Sequence, residues 1–161
     1  MVSYTGSAYE AMNDYLRTKG IYGAPDRTKQ LIKQCRAALK KASIPEEVIV
    51  RRGSGYNMLK ELGIDISEAN KDKLIGGIVQ DFGFLSTSPD PSGGFSSSIE
   101  YIIKIPKGSQ AMYVAPISQL PSERELLVNC GGKFMVDDVE FDSYGDVKRI
   151  YMTLKNLKGL K

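Results

Sequence analysis

From Phe82 onward the chain changes period, and that change limits the folds open to it. Before Phe82, apolar residues recur at helical spacing. Ala8, Met12, Tyr15 and Leu16 form one stripe over Ser7 to Thr18; Leu31, Ile32, Cys35, Ala38 and Leu39 form another over Asp26 to Lys41. Ser7 is placed to cap the first helix, with Glu10 at the third position inside, and Gly20 and Gly23 end it. The second helix closes on a basic turn, as the helix dipole favours, and Pro45 stops it. Val48-Ile49-Val50 is a short β-branched strand, while Tyr56 to Leu62 and Ser67 to Val79 read as short helices. After Phe82, strands dominate: Phe84 to Thr87, Ile99 to Ile105, Ala111 to Ala115, Glu125 to Val128, Lys133 to Phe141 and Val147 to Leu154. Pro106-Lys107-Gly108 and Cys130-Gly131-Gly132 are turn signals, and Ser88 to Ser98 is a Pro/Gly/Ser-rich loop. Helices first, strands afterwards and no βαβ alternation predict an α+β chain with a mostly antiparallel sheet. No repeat or linker divides it, and 161 residues suit one domain over 1–161. The chain begins almost directly in a motif-bearing segment, as expected of a domain excised from a longer protein.

Composition removes several chemistries. There is no histidine, which excludes histidine triads, imidazole metal ligands and histidine pH switching. The two cysteines cannot make a zinc site alone, and no metal-ligand spacing is present, so no metal is expected. Cys35 reads as a core-face residue of a helix and Cys130 as a strand-end thiol; a disulfide between them stays open. A net charge of +3 without a dense Lys/Arg tract argues against nucleic acid. No stretch approaches ~18 consecutive apolar residues, and Met1 to Gly20 lacks the apolar core of a signal peptide, so no membrane segment is expected. A single-site chain of this size is most simply a monomer.

The chemistry concentrates in Leu120-Pro-Ser-Glu-Arg-Glu-Leu-Leu-Val128. Glu123 and Glu125 stand two apart at the mouth of an apolar strand, where an extended chain turns both to one face. Paired carboxylates suit an anomeric carbon on which positive charge develops. Taken alone, they equally describe two solvated acids with Arg124 as a local ion pair. Two further pieces are as ambiguous singly. Arg51 ends the Val48–Val50 strand, where a guanidinium fork could grip a diphosphate, although strand-end arginines are usually surface charges. Ser86-Thr87-Ser88 follows Phe84-Leu85 and could hold a carboxylate, or could simply be β-prone.

In this order, Arg then Ser-Thr-Ser then Glu-x-Glu, the set resembles the mono-ADP-ribosyltransferases of the Arg–Ser–Glu class. Tyr4-Thr5-Gly6-Ser7 with Asn13-Asp14-Tyr15-Leu16-Arg17 looks like the family's first helix, and Asp81-Phe82-Gly83-Phe84-Leu85-Ser86-Thr87-Ser88 like its core strand. Ile105-Pro106-Lys107-Gly108, Glu123 to Val128 and Gly131-Gly132-Lys133-Phe134 extend the likeness over roughly Tyr4 to Leu154. The nearest look is to catalytic subunits of actin-modifying binary toxins. The resemblance implies N-terminal helices on a two-sheet β-core, NAD as substrate, and transfer of ADP-ribose to an acceptor protein with release of nicotinamide. It implies that Arg51 binds a phosphate or the nicotinamide-side ribose, with Arg52 assisting. Arg17 would reach the pyrophosphate, Asn13 would hydrogen-bond the nucleotide, and Gly83 would let the nicotinamide amide approach the backbone. Ser86 would hold Glu125, Glu125 would stabilise the oxocarbenium-like centre, and Phe95 would lie near nicotinamide. Glu at position 123 goes with arginine acceptors; actin is one acceptor the resemblance allows. The chain departs from the family in having Val50 before Arg51, Leu120 where an aromatic is usual, and Ser98 where an arginine is frequent. The alternatives are a NAD glycohydrolase, with water as acceptor, and a binding module that kept the fold without turnover. Cellular location stays open; secretion or injection into a host cell as part of a longer protein fits the resemblance.

Overall fold

In a computed structural model, residues 6–54, 56–87, 99–114 and 125–155 are described. Two helices lead: α1 (Gly6–Arg17) and α2 (Asp26–Lys41). Among the described residues, Met12 on α1 and Ile32, Cys35 and Leu39 on α2 are the buried apolar positions, the α2 three at the three- and four-residue spacing of one helical stripe. Strand β1 (Val48–Ser54) follows, then two short 3₁₀ turns (Met58–Leu62 and Glu68–Asn70) and a single-turn helix α3 (Lys71–Leu74). The rest is β: β2 (Ile78–Asp81), β3 (Leu85–Thr87), β4 (Ile99–Ile105), β5 (Ala111–Val114), β6 (Glu125–Val128), β7 (Gly132–Phe141) and β8 (Val147–Leu154).

The strands form two sheets, a five-stranded one ordered β1-β4-β8-β7-β2 and a three-stranded one ordered β3-β6-β5. Every neighbouring pair is antiparallel except β4 with β8. The α+β expectation holds, with one strand pair parallel.

Two cores explain the layering. The larger takes its side chains from both sheets, including Val50, Ile103, Ile150 and Met152 from one and Leu85, Ala111, Leu126 and Val128 from the other. The smaller joins Met12, Ile32, Cys35 and Leu39 to Phe84 and Leu127. Neighbouring residues on a strand point to opposite faces. Leu126 and Val128 therefore face the large sheet, and Leu127 faces the helices. The continuous run Leu126-Leu127-Val128 is apolar because the small sheet is buried on both sides.

One expected element changes type. The stretch Ser67 to Val79 is not one helix. It breaks at Gly76, whose φ is +88°, and continues as the edge strand β2 against β7. A Cβ at Gly77 would lie 2.7 Å from a Leu62 methyl, so a larger residue there would push the Leu62 side chain aside. The predicted loop Ser88–Ser98 lies outside the described residues.

Candidate functional site

A cavity of about 690 Å³ opens between the C-terminal end of α1, the end of β1, β4 and the Asp81–Phe82 corner. That volume suits a ligand of nucleotide size. Its floor is apolar, with Leu85, Ile103 and Met152, and its rim carries Arg17, Lys19, Arg52 and Glu61.

Strand alternation decides which arginine reaches it. Val50 is fully buried, and Arg52, two residues on, shares its face and lines the cavity. Arg51 points the other way, with Ile49, which is 56% exposed. On that outer face the Arg51 guanidinium pairs with Glu100 at 3.4 Å; Glu100 also accepts from Arg149 Nε at 2.7 Å. Arg149 and the Tyr151 hydroxyl both donate to Glu140. Together they hold the Glu140 carboxyl below its usual range, the tyrosine hydrogen bond contributing most. Arg51 thus belongs to a charge ladder on the back of the sheet, and Arg52 is the β1 arginine of the cavity.

The end of α1 and the Asp81–Phe84 corner are locked together. Arg17 donates to both Asp81 oxygens, at 2.9 and 3.0 Å, and to the Phe84 carbonyl at 3.3 Å. The Gly83 amide donates to Asp81 Oδ1 at 2.9 Å. Asn13, itself buried, donates to the Phe84 carbonyl at 3.1 Å and accepts from the Phe84 amide at 2.8 Å. A Cβ on Gly83 would meet Asn13 Oδ1 at 2.7 Å and Arg17 Nε at 2.8 Å. The glycine therefore serves the close approach of α1. Asn13, expected to touch nucleotide, instead spends its amide on the strand that follows, and it is not among the lining residues. Arg17 does line the cavity, with its side chain 38% exposed.

Several lining residues were not singled out as site residues from sequence. Lys19 sits over the Phe82 ring at 4.9 Å. Burial pushes the Glu61 carboxyl up, and its Oε1 accepts from the Gln80 amide at 3.3 Å. Tyr101 lies directly across the strand pair from Arg52, and burial pushes its phenol up to about 12. The alternation Ile99-x-Tyr101-x-Ile103-x-Ile105 puts Tyr101 on an inward face, a signal present in the sequence. Its register opposite Arg52 is a tertiary fact.

Ser86 and Glu125 are placed by backbone register. Ser86 pairs with Leu127, two residues along β6 from Glu125, which itself pairs with Val114. Glu123 and Phe95 lie outside the described residues. Cys35 and Cys130 are not joined in a disulfide, and burial is the main force raising the pKa of each thiol. Among the described residues, no helix is long and apolar enough to cross a membrane.

The sequence profile of the ADP-ribosyltransferase exoenzyme family matches residues 1–159. The chain belongs to this family. NAD is the substrate of ADP-ribosyltransferases. A mono-ADP-ribosyltransferase C3 from a Clostridium botulinum D phage is 26% identical over 95% of this chain and 66% of its own length. A protein of Mycobacterium avium named Mav, with NAD–arginine ADP-ribosyltransferase in its name, is 30% identical over 84% of this chain but only 15% of its own length. Among solved structures, the C3larvin toxin of Paenibacillus larvae, an ADP-ribosyltransferase, superposes with a TM-score of 0.73 at 30% identity, covering 96% of this chain and 91% of that one. The chain spans just under two thirds of the C3 enzyme and a small part of Mav. The expected fold family is the observed one.

Proposed function

We propose that the protein is a NAD-dependent mono-ADP-ribosyltransferase that modifies arginine side chains of an acceptor protein. The carrying observation is Arg52: a guanidinium from the sheet enters a cavity of about 690 Å³ whose other wall carries Arg17. A guanidinium fork entering such a cleft suits a diphosphate, which accepts bidentate hydrogen bonds. In this reading Arg52 takes the phosphate role that the resemblance gave to Arg51. Arg17 assists while fixed by Asp81, and Asn13 and Gly83 act by setting the corner that holds Asp81 and Phe84.

The chemistry falls to Glu123 and Glu125. Glu125, held by Ser86, hydrogen-bonds a ribose hydroxyl and stabilises the positive charge that develops as the bond from C1′ to nicotinamide breaks. Nicotinamide leaves with the bonding electron pair, and a guanidine nitrogen of the acceptor forms the new bond at C1′. Glu123 binds the cationic guanidinium and takes up the proton it loses. Phe95 would stack near nicotinamide. The arginine preference rests on Glu123 at the first position of the Glu-x-Glu pair, and the likeness to Mav is in keeping with it. Which protein carries the acceptor arginine is a separate question; actin is one candidate. Leu120, in place of the usual aromatic before Glu123, keeps NAD hydrolysis as the competing outcome.

The test is incubation with labelled NAD and agmatine, a small guanidine, measuring both nicotinamide and ADP-ribosyl-agmatine. Both products are expected from the wild type. Glu125→Gln should lose both by at least ~10²-fold, whereas Glu123→Gln should lose the adduct and keep nicotinamide release. Nicotinamide without adduct from the wild type would favour the glycohydrolase; an unchanged adduct yield from Glu123→Gln would overturn the role of Glu123.

A further inference from the structure

Tyr101 differs from the other residues of the cleft in what its hydroxyl holds. The ring is 2% exposed on β4, and the hydroxyl donates to the Tyr56 carbonyl at 2.5 Å and accepts from the Met58 amide at 2.9 Å. Tyr56 and Met58 stand just past the end of β1, and both line the cavity. Nearby bonds in that segment are short-range: the Tyr56 amide donates to Ser54 Oγ at 3.1 Å, and the Leu59 amide to Asn57 Oδ1 at 2.9 Å. Those bonds shape the turn, and Leu59, fully buried in the larger core, seats its far end. The Tyr101 hydroxyl ties the Tyr56–Met58 end, the part that lines the cavity, across 45 and 43 positions of sequence. Tyr101 is also the register partner of Arg52, on the same face of the sheet.

We infer that Tyr101 is a positioning residue for NAD: one ring sets both the wall at Tyr56–Met58 and the strand site from which Arg52 enters the cleft. This rests on the NAD reading above. A buried tyrosine ordinarily finds some partner for its hydroxyl. Here both partners are backbone groups of the cleft wall, so loss of the hydroxyl would be felt by the ligand before it is felt by the core. Tyr101→Phe keeps the ring and its packing while releasing a carbonyl and an amide.

The experiment compares wild type, Tyr101→Phe and a control, Tyr151→Phe, whose hydroxyl bonds Glu140 on the outer face. NAD affinity, KM for NAD, KM for agmatine, kcat and thermal midpoint are measured for each. For Tyr101→Phe, the dissociation constant and KM for NAD should rise about tenfold, the effect of losing one or two net hydrogen bonds from a binding wall. Its kcat and its KM for agmatine should stay within about twofold. The control should keep wild-type NAD affinity. A folded Tyr101→Phe with unchanged NAD affinity overturns the assignment, as does one that loses kcat and thermal stability together with affinity unchanged. A wild type that neither binds nor cleaves NAD overturns the transferase reading and this assignment with it. Amide exchange in the wild type covers the case in which Tyr101→Phe does not fold. Strong protection of the Met58 amide supports the tie; exchange as fast as an open loop overturns it.

Discussion

Arg51 and Arg52 are adjacent, yet a strand sends them to opposite sides of a sheet. Arg52→Ala should lower kcat/KM for NAD by about 10²–10³-fold, the usual loss when a transition-state contact is removed. Arg51→Ala should change it by less than about threefold, since it breaks a part-exposed pair whose acid, Glu100, keeps Arg149. Steady-state kinetics of the two variants decide this, and the reverse ranking would return the role to Arg51. The sequence brought the pair into view but could not choose between them. Val48, Ile49 and Val50 are all apolar, so the inward parity of β1 is hidden until Ile49 is seen exposed and Val50 buried. Gly83 is a similar case. Its glycine character is legible; that the close neighbours are Asn13 and Arg17 is not, because they arrive from 70 and 66 positions earlier in the chain. Gly83→Ala must move one of them. It should cost about 1–3 kcal/mol in urea unfolding, as overpacking does, and weaken NAD binding through Arg17.

The small sheet β3-β6-β5 is the element that joins the layers. Leu126 and Val128 pack toward the large sheet, and Leu127 packs among Met12, Ile32, Cys35 and Leu39. An apolar run of this length is readable as a strand. Its two-sided burial is not, because the same letters would serve the core face of a short helix. Leu127→Ala should destabilise the protein by about 2–5 kcal/mol in urea unfolding, the range for a leucine removed from a close-packed core. A value under about 1 kcal/mol would mean that the helical layer rests only loosely on the sheet. The strand β2 shows the opposite error of period. Leu74, Ile75 and Ile78 fit a helical stripe, but Gly76 at φ +88° ends it, and the β-branched pair Ile78-Val79 then joins β7 as an edge. Propensity over a window loses to one backbone position that only glycine adopts readily.

At the scale of the molecule, the cavity is where the helical layer and the large sheet meet. Arg17 reaches it from α1, and Arg52 and Tyr101 reach it from the sheet. A ligand gripped by both sides therefore resists their separation, and the buried thiol of Cys35 reports on that separation. Cys35 is 3% exposed between α2 and the small sheet, and burial, the foremost influence, raises its pKa. Alkylation of it requires the helices to lift and then a thiolate to form, so labelling at pH 8 should be far slower than for an open thiol of pKa about 8.5. Cys130, partly buried, should label sooner, though still slowly, since burial raises it as well. Where opening breaks the cleft, NAD at 100 times its dissociation constant stabilises the closed form by about 2.7 kcal/mol. Cys35 labelling should then slow by about a hundredfold, and that of Cys130 by less. Mass spectrometry of the two cysteines over a labelling time course reads both rates. A Cys35 rate indifferent to saturating NAD would show that the helical layer opens without disturbing the cleft, and would remove Arg17 from any part in holding the ligand.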